Sequence, residues 1–314
     1  MNWGLLGYGN ITPNFATSLK QVEGQNIAAI ASYSNAGKLA SEYPDASIYD
    51  NYDELYADKE VDIVYIGTTH NFHVDNVINC LENGKHVLCE KPMGINPEEA
   101  QRMIDCAKKN NLFLMEGLWM CFLPAYRYMM EVVRSGDIGE VKLVRADFGF
   151  LFPRDDSHRV WNPKLAGGSL LDLGVYPIAL VNDVFGMLPE SIAVAANIVD
   201  TGVDESIAAQ FKYATGASAQ IYSALSSTTP GQVIIYGERG WIQLDEFYKG
   251  QNLKLNIDGK IKELSLPFES TGYFHEIEDA VKSIESGKIE SQLFSHWHSM
   301  MNADVVQRIF NEIK

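Results

Sequence analysis

Along the first 120 residues, short apolar runs alternate with longer stretches whose apolar positions recur at helical spacing. The runs are Trp3–Leu6, Ile27–Ala31, Asp62–Ile66, His86–Cys89 and Leu112–Met115. Between them lie Ile11–Val22, Ala36–Glu42, Phe72–Asn83 and Pro97–Lys109. Strands alternating with helices predict βαβ units and a parallel sheet, since parallel neighbours need a crossover. Asn83-Gly84 and Asn110-Asn111 fall where helices must stop, and these residue types tolerate left-handed backbone.

After a further helical stretch, Phe122–Ser135, the texture changes. Strand patterns follow at Val141–Phe150, Ser191–Val199, Ser206–Tyr213, Ala217–Ser223, Gln232–Tyr236, Gly240–Leu244 and Leu253–Ile257. Turn residues such as Thr215-Gly216, Glu238-Arg239-Gly240 and Asp258-Gly259 separate several of them, which predicts an antiparallel sheet. One helix near Leu170–Phe185 interrupts the strands, and helices return at Tyr273–Ser286 and His296–Ile313.

At 314 residues the chain exceeds one ordinary core, and two domains are expected. A net charge of −16 argues against nucleic acid or an anionic membrane as partner, since both need clustered cations. It leaves room for an anionic cofactor, because N–H groups at a helix start can hold a phosphate locally. Cys80, Cys89, Cys106 and Cys121 have no CxxC spacing, which fits a reducing compartment and gives no zinc site. The chain begins with a strand pattern, and no segment approaches the roughly 20 apolar residues that span a bilayer. The cytoplasm is the expected location, and no metal is expected.

Gly7-Tyr8-Gly9-Asn10-Ile11-Thr12 closes the first strand and opens the first helix. The first glycine allows the tight turn, and the second lets backbone approach a pyrophosphate at the helix start. The third fingerprint position is Thr12, so the turn is expected to be slightly loosened. Two glycines after an apolar run read equally well as a plain βα turn; their place between first strand and first helix favours a dinucleotide. Cofactor choice is read about 20 residues further on. There stand Ser32-Tyr33-Ser34-Asn35, then Lys38, with no acid for a ribose 2′-hydroxyl and no arginine. Ser32, Ser34 and Lys38 can contact a 2′-phosphate, so NADP is preferred to NAD, with an exposed polar loop as the alternative.

Three segments place polar residues directly after apolar strands, where open α/β sheets bind ligands. In Gly67-Thr68-Thr69-His70-Asn71-Phe72-His73, His70 and His73 can lie near a nicotinamide, or Thr69 or Asn71 can cap the next helix. In Cys89-Glu90-Lys91-Pro92, Lys91 can stabilise negative charge on a substrate oxygen. By sequence alone, a surface salt bridge from Glu90 is the better reading there. In Gly167-Gly168-Ser169-Leu170-Leu171-Asp172-Leu173-Gly174-Val175-Tyr176-Pro177, Asp172 and Tyr176 are four apart and share one helical face. They form a proton-transfer unit or a capped helix with a core tyrosine.

Gly7-x-Gly9, Glu90-Lys91-Pro92 and the Gly167–Tyr176 segment together resemble the glucose-fructose oxidoreductase / inositol dehydrogenase (Gfo/Idh/MocA) family over nearly the whole chain. Tyr176, with Tyr65–His70, Leu112–Glu116 and Thr201-Gly202-Val203-Asp204, resembles its dimeric dihydrodiol dehydrogenase and D-xylose dehydrogenase branch. The resemblance implies an α/β plus α+β architecture. A Rossmann doubly wound parallel sheet would occupy 1–120, and an open, mainly antiparallel substrate-binding and dimerisation domain 121–295. A C-terminal helix, 296–314, would pack back on the first domain. It further implies Lys91 beside the hydride-transferring carbon, Tyr176 as general acid/base, Asp172 supporting the pair, and a cis bond before Pro92. Cofactor contacts would come from Gly7, Gly9, Asn10, Ile11, Ser32, Tyr33, Lys38, Thr68, Thr69, His70, His73, Glu90, Lys91 and Pro92. Homodimers would form on the open face of the second sheet.

Cys121 stands where that branch commonly carries arginine, so the branch's substrate does not transfer directly. Trp119, Phe152, Arg159 and Trp161 are expected to line a pocket for a small-molecule sugar, polyol or diol. A non-catalytic sensor of the same fold is the competing reading, as is an enzyme for a tetrapyrrole or an imine. The sensor is disfavoured by the joint presence of Lys91, Asp172 and Tyr176.

Overall fold

A computed structural model describes residues 1–34 and 36–313. The chain forms two compact units, Met1–Trp119 with Glu269–Ser299, and Met120–Phe268 with the chain from Met300 on. In the tail, 269–299 belongs to the first unit and the last residues to the second. Helix periodicity in a tail does not say which core its apolar face meets.

The first unit runs β1 (Asn2–Leu6), α1 (Thr12–Leu19), β2 (Asn26–Ala31), α2 (Ala36–Glu42), β3 (Ser47–Tyr49), α3 (Tyr52–Ala57), β4 (Ile63–Ile66), α4 (His73–Glu82), β5 (His86–Glu90), α5 (Pro97–Asn110) and β6 (Leu114–Gly117). Its strands pair in parallel in the order β3-β2-β1-β4-β5-β6. That is the doubly wound order, with crossovers on both faces. Every residue of β4 is buried, as continuous apolar strands in a covered parallel sheet must be. The short β3 and α3 carry too few apolar positions for periodicity to reveal them.

Local rules set the helix ends. Asn96 accepts the Glu99 N–H at 2.9 Å, Pro97 opens α5, and Glu98 and Glu99 occupy its first turn. Lys108 and Lys109 fill its last turn, and Asn111 stops it at φ +53°.

The second unit contains α6 (Pro124–Ser135), β7 (Val141–Gly149), a π turn (Leu170–Gly174) and α7 (Val175–Phe185). Then follow β8 (Ser191–Ile198), β9 (Asp204–Lys212), β10 (Ser218–Ala224), β11 (Val233–Gly237), β12 (Gly240–Leu244), β13 (Asn252–Ile257) and β14 (Lys260–Ser265). The sheet order is β14-β13-β12-β11-β7-β10-β9-β8. All neighbours are antiparallel except β7 and β10, which run parallel. β14 escaped the sequence reading because nearly all of it is exposed, leaving no alternation to detect.

The residues Pro163–Phe185 form a helical run that is long and apolar enough to cross a membrane by length and composition alone. Its second part is the helix expected near Leu170–Phe185. Of its most apolar window, 89% is buried, and it packs against β7 and β10. α8 (Phe274–Glu285) belongs to the first unit, and α9 (His296–Glu312) follows it in sequence.

In the first unit Phe15 of α1 stacks on Tyr65 of β4 at 3.7 Å and meets Trp3 of β1 at 5.6 Å. All three rings are fully buried. Phe15→Ala is expected to lower unfolding stability by about 3–5 kcal/mol, through lost burial and an unfilled cavity. Urea unfolding followed by circular dichroism measures this.

Candidate active site

At the carboxyl end of β1, Gly7 has φ +85° and donates its N–H to the Ala31 carbonyl at 2.9 Å. A side chain there would meet Thr68 Cγ2 at 2.9 Å, so both conformation and space require glycine. Gly9 faces open space; a Cβ would find only the Gly67 carbonyl oxygen, at 4.0 Å. α1 begins without a side-chain cap and without an acid in its first turn, leaving N–H groups available to an anion. Thr12 is fully buried and donates its hydroxyl to the Gly7 carbonyl at 2.8 Å. The loosening expected of Thr12 is thereby corrected: its hydroxyl closes the turn from inside.

Ile11, Tyr33 and Phe72 are exposed apolar side chains following β1, β2 and β4. The Tyr33 ring is braced by Tyr52, with centroids 4.4 Å apart. Ser32 is buried and accepts the Ser34 N–H at 3.4 Å; Lys38 and Asn10 are exposed. Asn35 lies outside the described residues. A glycine turn, an uncapped helix start and flat apolar side chains along one row of strand ends fit a dinucleotide.

The segment after β4 is engaged largely with protein. Thr68 Oγ1 accepts from Asn76 Nδ2 at 3.2 Å, and Thr69 Oγ1 donates to Asn71 Oδ1 at 2.9 Å. His73 is fully buried, with its ring nitrogens 2.8 Å from the Pro92 carbonyl and 3.2 Å from the Thr68 carbonyl. It fixes the spacing between the loops after β4 and β5. The buried His70 ring lies 5.8 Å from it. Among the described residues, no group of three or more His, Cys, Asp or Glu side chains could hold a metal ion.

Glu90, Lys91 and Pro92 end β5. Glu90 is only 7% exposed, so it does not stand at the surface where the sequence reading put it. Its Oε1 accepts the Tyr65 hydroxyl at 2.7 Å, and its Oε2 accepts the Lys91 N–H at 3.2 Å. The Lys91–Pro92 peptide bond is cis, as the resemblance implied. Beyond it, Met93 donates its N–H to Glu116 Oε1 at 2.9 Å. Burial pushes the Glu116 carboxyl up, while the Ser299 hydroxyl, the Met93 N–H and the Lys91 charge pull it down. Thus Glu90, His73 and Glu116 each hold one main-chain group of the turn that carries Lys91. Trp119 stacks on Tyr273 within the same unit, at 5.0 Å and 9°.

In the second unit, Asp172 sits on the π turn and Tyr176 in the first turn of α7, both buried. Isolated π turns occur frequently at functional sites. Arg159 Nη1 donates to Asp172 Oδ1 at 2.8 Å. The Tyr176 ring meets Phe148 edge-on at 5.1 Å, within an aromatic wall that continues through Phe150 and Phe152. Trp161, expected to line a pocket, is 2% exposed and donates its indole N–H to the Pro153 carbonyl at 3.0 Å. Cys121 is likewise buried.

Asp204, noticed in the sequence only as part of a branch motif, anchors this helix. Its Oδ2 accepts the Ser169 hydroxyl at 2.7 Å and the Leu170 N–H at 2.6 Å. Burial pushes its carboxyl up to about 6, against the pull of those hydrogen bonds. Gly168 has φ +115°, and a Cβ there would collide with Asp204 Oδ1. The paired glycines are thus a requirement of the Asp204 contact. Glu276 of α8 was also missed. Its signal was an acid among the apolar positions Ile277, Ala280 and Val281, one buried helical face.

Fold and site together define an oxidoreductase of the Rossmann type. The chain belongs to the GFO/IDH/MocA family: the model of the oxidoreductase family with NAD-binding Rossmann fold matches residues 1–118, and that of the GFO/IDH/MocA C-terminal domain residues 126–243. It is 32% identical to trans-1,2-dihydrobenzene-1,2-diol dehydrogenase of Xenopus tropicalis over 324 residues, covering 99% of this chain and 97% of that one. The Mus musculus dehydrogenase of that name is 35% identical over 278 residues, 87% and 82% of the two chains. Among solved structures, aldose-aldose oxidoreductase from Caulobacter crescentus, complexed with glycerol, is 26% identical with a TM-score of 0.88. The match covers 99% of this chain and 97% of that one.

Gly168→Ala is expected to destabilise the second unit by about 2–4 kcal/mol, from left-handed strain and the loss of Asp204 packing. Differential scanning calorimetry reads this as a lowered Tm, with the dinucleotide-binding affinity unchanged.

Proposed function

We propose that the chain catalyses reversible hydride transfer between NADP or NAD and a secondary alcohol or carbonyl of a sugar, polyol or cyclic trans-diol. The observation that carries this reading is the Lys91–Pro92 turn, held at three main-chain groups at the carboxyl edge of a doubly wound sheet. Its relatives' names add dihydrodiols and aldoses as the substrate classes to try first.

Gly7, Gly9, Asn10 and Ile11 would hold the pyrophosphate, and Ser32, Tyr33 and Lys38 the adenosine end. Thr68, Thr69, His70 and the Glu90–Pro92 turn would flank the nicotinamide, with His73 acting through the loops it spaces. The nicotinamide, when bound, supplies the hydride acceptor or donor. Tyr176 takes the proton of the substrate hydroxyl at its Oη during oxidation and returns it during reduction. The Lys91 ammonium stabilises negative charge on that oxygen. Asp172, held by Arg159, supports the charged form of the pair. Phe152 and Trp119 offer apolar faces to the substrate ring. The absence of an acid from Ser32 to Lys38 favours NADP.

The same reading includes a homodimer through the open face of the second sheet. Leu143, Tyr222, Ile234, Tyr236 and Trp241 share that face by register and are partly exposed. It also includes a cytoplasmic location, where the four cysteines, none of them in a disulfide, stay reduced.

Lys91→Met and Tyr176→Phe are each expected to lower kcat by about 10²–10⁴-fold while leaving the dinucleotide Kd within about threefold. Tryptophan-quenching titrations with NADPH and NADH, then turnover on aldoses, polyols and trans-diols, measure both. Tighter binding of NADPH is expected. Near-normal turnover in both variants would overturn the assignment.

A further inference from the structure

Glu276, in the first turn of α8, is fully buried, and neither carboxyl oxygen has a hydrogen-bond partner among the described residues. Facing it are the Glu90 carboxylate on β5 and the Tyr65 phenol on β4, whose ionisation Glu90, Tyr273 and Glu276 all oppose. α1, which packs on α8, brings no ionisable side chain over Thr12–Leu19. On α8 itself the nearby titratable groups are His275 and the half-buried Asp279. No cation reaches Glu276 within hydrogen-bond distance among the described residues.

Two buried carboxyl groups that oppose each other's charge cannot both ionise at moderate cost. Which of them keeps the proton follows from the donors. Glu90 receives the Tyr65 hydroxyl and the Lys91 N–H, and both stabilise a carboxylate. Glu276 receives none. The dipole of α8 favours a charge in its first turn, but by at most about thirtyfold in an ionisation equilibrium. Burial opposes that charge by roughly a thousandfold or more. Burial wins.

We propose that Glu276 is a positioning residue held as a neutral carboxylic acid, so that of these two facing groups it is Glu90 that carries the negative charge beneath the Lys91–Pro92 turn. An ionised Glu276 would compete with the Lys91 turn for the Tyr65–Glu90 hydrogen bonds by driving Glu90 to take up the proton. The neutral acid leaves both Glu90 oxygens as acceptors, and with them the main-chain anchor of Lys91. The catalytic consequence rests on the function proposed above; the protonation state does not.

The sign of the pH effect follows from linkage. The native Glu276 keeps its proton above the pH at which the unfolded chain releases it. Its contribution to stability is therefore complete at low pH and is lost as pH rises toward the native pKa. Urea unfolding of the full chain and Glu276→Gln from pH 4.5 to 9 tests this. Relative to Glu276→Gln, the wild-type folding constant is expected to fall by up to about tenfold per pH unit above roughly pH 5. A constant ratio between the two proteins would overturn the proposal, as would a change in the opposite direction, which marks an ionised and paired Glu276.

If unfolding is irreversible, the infrared difference spectrum of wild type minus Glu276→Gln near pH 7.5 decides. A protonated-carboxyl C=O stretch is expected, and a carboxylate band in its place sinks the idea. For the catalytic consequence, Glu90→Gln is expected to lower kcat at least tenfold with a dinucleotide Kd within about threefold. In wild type, kcat is expected to fall at alkaline pH as Glu276 ionises, and this limb should be displaced in Glu276→Gln. Identical alkaline limbs, or normal turnover in Glu90→Gln, would remove the positioning role. Loss of turnover on every substrate in wild type, with the infrared band present, would strike the proposed function instead.

Discussion

Glu90 ends a strand that is buried on both faces, and a carboxylate in that position has to find donors inside the protein. The Tyr65 hydroxyl comes from the neighbouring strand, and the Lys91 N–H from the next residue along the chain. Much of the first unit is arranged around this requirement. Tyr65 can donate only while its ring is held, and it is held by stacking on Phe15 of the helix that starts at the glycine turn. Phe15 in turn meets Tyr273, just before α8, edge-on at 6.0 Å. One buried carboxyl group thus ties the dinucleotide helix, the central strand, the Lys91 turn and a C-terminal helix into a single packed set.

The second unit solves a similar problem with Asp204. Its buried carboxylate satisfies the Ser169 hydroxyl and the Leu170 N–H at the start of the π turn that carries Asp172. The close fit demands glycine at 168, and Ser223 completes the network at 3.0 Å from the Ser169 hydroxyl. In both units a buried carboxylate reads main-chain N–H groups and so sets the position of the segment bearing the proposed chemistry. Such contacts act through geometry, because hydrogen-bonded buried groups leave few alternative arrangements of similar energy.

A net charge of −16 looks hostile to an anionic cofactor. The structure resolves this locally. The uncapped start of α1 presents backbone N–H groups, and no acid lies in its first turn. Over a few ångströms, oriented N–H groups outweigh distant surface carboxylates, which salt screens beyond roughly 8–10 Å.

Much of the molecule was legible in the residues. Alternation of apolar runs and helical stretches gave the parallel sheet, turn pairs gave the antiparallel one, and Gly7 and Asn111 marked a turn and a helix stop by their chemistry. These signals are local, carried by residues within a turn or a few strand positions of each other. The roles of Thr12, Glu90, His73 and Asp204 were not legible, because each depends on a partner distant in sequence or on burial. Thr12 as a fingerprint residue suggested a defect until its hydroxyl met the Gly7 carbonyl. Glu90 suggested a surface charge until Tyr65 donated to it. Sequence determined which elements form, since hydrogen bonding and side-chain periodicity act between near neighbours. Tertiary structure decided which polar groups are buried together, since burial is set by every segment that packs over them.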